Sequence, residues 1–399
     1  MHRVITHWFA AVRLLVLGAL WLCLSVPIPA QTFTTLYLFG AGGNPDGGLI
    51  QATDGKLYGV TAGGPGKEAG MIYNITPGDT FTTLHGGGGE YQGELVQGTD
   101  GNFYGTVLQG GTFNHGTVFK ITPSGTITTL HNFDLPDGMG PDGGLVQASD
   151  GNFYGTTEQG GTNSLGTLFK ITPDGTLTTL YNFCSQSACT DGQGPTGHLV
   201  QGTDGNLYGT TGAGGSGGGY GTIFKITTTG TLTTLHSFDL SDGAGPNRGL
   251  IQATDGNFYG TTYYGGTNNS NCNYGYQGCG TVFRMTPTGT LTVLYRFDYT
   301  DGANPAAPLI QAMDGNFYGT TSGGGNCTNF GGGCGTIFKI TSVGTFITLH
   351  NFEKTDGARP NALVQDTNGI FYGTTVDGGK IVYHYCGGTC GTIFSLSVP

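Results

Sequence analysis

Five residues could do chemistry because they interrupt a pattern that is otherwise repeated. His198 and Arg248 stand just ahead of two equivalent segments where the other copies carry Gly, Pro, Ala or Glu. Asp142, Glu158 and Asp377 fall in neighbouring loops of the same pattern. A histidine, a guanidinium and carboxylates converging on one mouth would suit acid–base chemistry on an anionic sugar or ester. His198, Glu158 and Asp142 are therefore the catalytic candidates, with Arg248 and Asp377 as ligand contacts. No Gly-x-Ser-x-Gly elbow, His-Glu-x-x-His pair or phosphate loop accompanies them. The balance favours binding over catalysis.

A second group is aromatic. Tyr220, Tyr263, Tyr264, Tyr274, Tyr276, Phe330, Tyr383 and Tyr385 lie in Gly- and Asn-rich loops, the longest being 263–279. Tyrosine in such a loop gives a large contact area at low entropic cost, suited to sugar rings or a protein surface. The plain alternative is that each ring covers its own loop. The same face holds eight cysteines in close pairs: Cys184 with Cys189, Cys272 with Cys279, Cys327 with Cys334, and Cys386 with Cys390. An even set in an exported chain reads as disulfides, and no zinc-knuckle spacing competes.

Other polar residues recur in every copy and read as structural. Gln51, Gln97, Gln147, Gln201, Gln252, Gln311 and Gln365 hold one position, where a repeated polar group would satisfy its neighbour's backbone. His85, His131, His236 and His350 share a site with Tyr37, Tyr181 and Tyr295, which speaks for packing rather than a metal. Lys120, Lys170, Lys225, Arg284 and Lys339 share another and would snorkel. The acidic turns at Asp137, Asp191, Asp242, Asp301 and Asp356 would accept their own backbone N–H groups. Calcium is the alternative there, although no Asp-x-Asp-x-Asp-Gly loop is present. No metal and no organic cofactor is expected.

The elements that must position these residues follow from composition and period. Of 399 residues, 79 are glycine and only 10% are charged, which excludes an ordinary helical or α/β enzyme. With 36% apolar and 11% aromatic residues, disorder is excluded too. Residues 1–30 carry Arg3 and Arg13, an apolar run over 14–26 and a small residue at Ala30. That is the pattern of a secretory signal peptide, and the run is shorter than the ~20 residues of a membrane span. The expectation is a secreted, cell-surface or periplasmic chain cut near Ala30, with 31–399 as one domain and no membrane span in the mature chain. The net charge of −11 disfavours nucleic acid as a partner; an extracellular glycan or protein is expected, with the chain a monomer.

Within 31–399 the phrase DGNFYGTT at 150–157 recurs roughly every 50 residues, with openings at Asp54, Asp100, Asp150, Asp204, Asp255, Asp314 and Asn368. Four β-branched, aromatic pieces surround each anchor, as at 144–148, 152–157, 166–172 and 176–183. Asp-Gly links the first two, a strong hairpin signal. Four antiparallel strands per repeat describe a propeller blade. The last repeat lacks its fourth piece and the segment 32–39 is an orphan copy of it. A closed ring uses that arrangement to remove exposed edges, so the expectation is an all-β, seven-bladed propeller whose N-terminal strand closes the last blade. Connections between strands two and three, and between blades, then share one loop-rich face.

The phrases LVQATDGNFYGTT, GTVFKITP and GTLTTLHNF resemble the GloVer tandem repeat of secreted bacterial choice-of-anchor proteins, across essentially all of 31–399. The resemblance implies a propeller-like repeat and varied C-terminal anchors, and carries no established activity. More distantly the pattern is similar to NHL repeats and to those of streptogramin lyase, which are propellers; the lyase's His/Glu and metal constellation has no counterpart among these residues. Three readings follow: a binding module for extracellular polysaccharide or protein, a polysaccharide lyase or glycoside hydrolase acting at the channel mouth, and a structural envelope protein.

Overall fold

Alternating β-branched and aromatic positions force each repeat to bury both faces of a short antiparallel sheet, and a ring of such sheets is what forms. The computed structural model describes residues 31–40, 43–63, 70–78, 80–87, 89–266, 272, 277–327, 333–379 and 391–399. Seven antiparallel sheets run from an inner strand at the channel to an outer strand at the rim. Blade 3 is representative, with strands Leu145–Gln147, Phe153–Thr157, Thr167–Ile171 and Leu177–Asn182 paired in that order. In blade 6 the inner edge is split into Ala303–Pro305 and Ile310–Gln311, both on Phe317–Gly323. The seventh blade takes Ala358–Gln365, Phe371–Asp377 and Thr392–Ser397 from the C-terminal end, and Thr32–Leu38 as its outer strand. The seven-bladed ring and its N-terminal closure are as the repeat predicts.

The DGNFYG phrase does two jobs. Its Asp holds the hairpin, since Asp150 accepts the Asn152 N–H at 3.1 Å and the Tyr154 hydroxyl at 2.8 Å. Its Tyr then packs across the blade interface, with Tyr104 on Phe153 at 4.0 Å and Tyr259 on Phe317 at 3.9 Å between centroids. Blade 7 has Asn368 at the Asp position, and Asp366 two residues earlier supplies the carboxylate, accepting from the N–H groups of Asn368 and Ile370.

The repeated glutamines are inter-blade clamps. Gln201 accepts the Ser149 N–H of the preceding blade at 2.8 Å and donates to the Gly205 carbonyl of its own hairpin at 3.0 Å. Gln97, Gln147, Gln252, Gln311 and Gln365 accept equivalent N–H groups. Gln201→Ala leaves two backbone groups short of a partner, so thermal unfolding should report a loss of about 1–3 kcal/mol. A change below about 0.5 kcal/mol would show that water replaces the clamp.

The outer-strand His and Tyr position also bonds rather than merely packs. His131, His236 and His350 place Nε2 at 2.6, 2.8 and 3.0 Å from Asp137, Asp242 and Asp356, and Tyr181 donates to Asp191 at 2.8 Å. These carboxylates also accept N–H groups of their own turns, as Asp137 does from Asp134. The acidic turns are thereby fixed at both carboxylate oxygens.

Candidate functional site at the channel mouth

The loops from outer to inner strand are shaped by a proline. Pro141, Pro195, Pro246, Pro305, Pro360 and Pro45 each lay Cδ over a glycine that opens a third strand: Gly116, Gly166, Gly221, Gly280, Gly335 and Gly391. A Cβ on those glycines would lie 2.4–2.9 Å from the proline Cδ, and φ is +88° to +102° there. Only glycine tolerates both conditions. The proline pins the loop, and the residue after it turns toward the channel.

Those following residues line a pocket of about 190 Å³ to which all seven blades contribute. Taken in blade order the wall is Asp46, then Gln92 and Glu94, then Asp142, then Thr196 and His198, then Asn247 and Arg248. It closes through the small apolar run Ala306, Ala307 and Pro308 and ends at Asn361 and Ala362. Close backbone approach keeps the mouth narrow. The Glu94 carboxylate lies against Gly48, and a Cβ on Gly144 would meet the His198 ring at 2.9 Å. Asn361 bridges the ring's closure by donating to the Pro45 carbonyl at 2.7 Å. Glu94 also borders the wider opening at the other end of the channel, near Gln51, Gln311 and Gln365.

The electrostatics of this mouth are unbalanced. Burial raises the Asp142 carboxyl above the usual range, and Arg248 and His198 offset part of that. Asp46 opens to solvent at the rim, yet the protein behind it raises its carboxyl as well, with Arg248 opposing and Asp142 adding to the rise. Glu158 is raised by burial and then by Asp142. Arg248 forms no ion pair among the described residues, and its Nε is buried without a hydrogen-bond partner. The Asn247 Oδ1 is likewise buried and unpartnered, lying toward Gly212 and Gly245. Polar atoms of this kind are costly to leave unmatched in a fold and suit a ligand that matches them.

A carboxyl raised in the folded state costs stability once it ionises. The folded protein holds that proton more tightly than the unfolded chain does, so the stability it gives is lost as pH rises through the folded value. Asp142→Asn removes this cost. Its melting temperature should exceed the parent's by about 1–3 °C at pH 7, and the gap should close as the pH is lowered into the carboxylate range. A lower melting temperature at pH 7 would mean that further contacts stabilise the ionised carboxylate.

The fold brings His198, Asp142 and Arg248 into one pocket, with Glu158 beside Asp142. Asp377 sits further out in an ion pair with Arg359, burial raising its carboxyl and Arg359 opposing. Tyr220, Tyr263 and Tyr264 do not line the pocket. They are half-buried in their own loops, Tyr263 and Tyr264 meeting edge-on at 4.7 Å, and Tyr220 packing against the buried cluster that contains Phe238. Tyr274, Tyr276, Phe330, Tyr383 and Tyr385 lie outside the described residues.

Three of the four expected cysteine pairs are disulfides. Cys184 bonds Cys189, Cys272 bonds Cys279 and Cys327 bonds Cys334, with Cα separations of 4.1, 5.1 and 5.5 Å. The fourth expected pair, Cys386 with Cys390, lies outside the described residues, as does the signal segment. Cys279 and Cys334 are fully buried and open onto third strands, so their bonds tie a second-to-third loop to the blade core. Among the described residues, no group of three or more His, Cys, Asp or Glu side chains could hold a metal ion, and no helix is long and apolar enough to cross a membrane.

Asp46, Glu94, Asn247 and Asn361 are pocket residues absent from the sequence-based candidates. A signal for three of them was present: Asp46, Asn247 and Asn361 each follow the proline that ends a blade-to-blade loop, as Asp142 does.

Seven four-stranded blades around a channel with a polar pocket at its loop-rich mouth define the class of this protein as a seven-bladed β-propeller. The chain matches the Gloeobacter/Verrucomicrobia repeat over residues 90–276 and 270–399, and it belongs to that family. No curated protein matches it in sequence. Among solved structures, the extracellular domain of BT3049 from Bacteroides thetaiotaomicron, assigned as a hybrid two-component system, is 14% identical with a TM-score of 0.57. That match covers 92% of this chain and 41% of the other, so this chain spans about two fifths of that structure's length. A Bacteroides uniformis protein assigned as a 6-phosphogluconolactonase is 16% identical with a TM-score of 0.50, covering 78% of this chain and 86% of that one. At these identities the likeness speaks to the fold.

Proposed function

We propose that this propeller is an exported binding module that takes an extracellular glycan at the channel mouth. The observation that carries the reading is the pocket itself: all seven blades contribute to it and most of its lining is polar. Carboxylates and Asn carbonyls accept from sugar hydroxyls, Arg248 donates to them, and a small apolar wall accommodates the carbon face of a ring. Export is supported by the three disulfides, which persist in oxidising compartments, and by the signal-like pattern of residues 1–30.

The test is a glycan-array screen of the purified protein, with product analysis on every hit. Saturable binding without new products supports the module. The raised carboxyls of Asp142 and Glu158 favour one rival, a lyase or hydrolase. Release of oligosaccharide that ceases in His198→Ala would establish that rival. Silence across the array would remove the glycan reading and leave a protein partner or an envelope role.

A further inference from the structure

We propose that the pocket selects a sugar unit bearing a free ammonium group, an amino sugar of a deacetylated glycan. This rests on the glycan reading above and names the chemistry of the unit bound. Three successive blades present Asp46, Glu94 and Asp142, and the next two present His198 and Arg248. Three carboxylates thus outnumber the single guanidinium. Acceptors also outnumber donors, because the three carboxylates only accept while the amides of Gln92, Asn247 and Asn361 bring donors and acceptors alike. A complementary ligand must be rich in donors and carry positive charge, which an ammonium among hydroxyls supplies. A uronate would meet the carboxylate arc with like charge.

Arg248 marks the other side of the unit. Its buried Nε has no protein partner, and it feels both Asp46 and Asp142 without an ion pair to either. It is placed to donate to a ring or hydroxyl oxygen while the ammonium faces the acidic arc. In blade order Ala306, Ala307 and Pro308 stand across the ring from Glu94 and Asp142, so the carbon face of the sugar has an apolar wall opposite the charge. About 190 Å³ suits one unit rather than a length of chain. The chain's net charge of −11 would also steer a cation toward this mouth.

Calorimetric titration of the purified protein with a short glucosamine oligosaccharide, its fully N-acetylated counterpart and a galacturonate oligomer tests this. The expected result is at least tenfold tighter binding of the free amine than of the acetylated form, insensitive to EDTA. Asp142→Asn and Glu94→Gln should each cost at least tenfold for the amine and little for the acetylated form. Each variant removes one pocket charge and barely alters the total, so nonspecific attraction of a cation to an acidic protein would not respond to them. Equal affinity for amine and acetylated forms, with pocket variants still weakening both, would overturn the ammonium while the glycan reading stands. Tighter uronate binding would overturn it in favour of Arg248 as the selecting charge. Loss of binding with EDTA would overturn it by placing a metal in the arc. Binding of none of the three, with other glycans captured on the array, would also overturn it; binding of no glycan at all would remove the reading beneath it.

Discussion

Removing Thr32–Leu38 is expected to abolish cooperative folding of the ring, not merely to trim one edge. This strand pairs along Thr392–Ser397 as the outer strand of blade 7, and it also ties the neighbours on both sides. Phe33 stacks on His350 of blade 6 at 4.0 Å and on Phe394 of its own blade at 5.2 Å. Tyr37 stacks on Phe81 of blade 1 at 4.1 Å, and Gln31 donates to the Leu349 carbonyl at 2.6 Å. Losing two stacked rings and two leucines removes several kcal/mol on the scale of large-to-small substitutions, against a typical total of only ~5–15 kcal/mol. The deletion also bares the edge of Thr392–Ser397, a template for aggregation. Circular dichroism melts and limited proteolysis should show a drop of more than about 10 °C or no transition at all. Phe33→Ala alone should fall between the deletion and the parent. Retention of the parental melt by the deletion would show that closure contributes little.

Arg248→Ala should separate binding from stability more sharply than any other single change. The side chain has no ion pair among the described residues and a buried, unpartnered Nε, so what the free protein loses is chiefly its longer-range offset of the Asp46 and Asp142 carboxyls. A ligand that hydrogen-bonds the guanidinium loses an interaction of about 1.5–3 kcal/mol, a weakening of roughly 10–150-fold in affinity. Titration with whichever glycan the array returns would show that loss beside a melting temperature lowered by no more than about 3 °C at pH 7. Arg248→Lys should rescue poorly, since a single ammonium cannot reproduce the planar donor fork. Unaltered affinity in Arg248→Ala would remove the guanidinium from the binding site.

The architecture was legible in the residues because a repeat states the same local rule many times. DGNFYG sets a hairpin through its Asp and a blade contact through its Tyr, and neither needs knowledge of distant chain. The glutamine position could be read as a backbone partner for the same reason. Cysteines five or seven residues apart, such as Cys184 with Cys189 and Cys327 with Cys334, pair within one loop and were equally local. The outer-strand His and Tyr were legible only in part. Their interchange indicated packing, but the bond from each ring to a turn Asp six to ten residues on, as in His131–Asp137 and Tyr181–Asp191, depends on how the loop folds back.

The pocket illustrates the same limit more strongly. His198 and Arg248 stood out because they replace small residues in a repeated slot, and Asp142 because it is charged in a turn. Asp46 and Asn361 carried only a positional sign, the proline before each, although Asn361 donates to the carbonyl of Pro45 across 316 residues of chain. By itself the sequence determined the strand period, the blade unit, the closing role of the first strand and the loops that hold the disulfides, all consequences of local alternation and turn chemistry. Only the closed ring decided which side chains share one mouth, because seven inner strands must converge on a common axis before residues a whole chain apart can face one another.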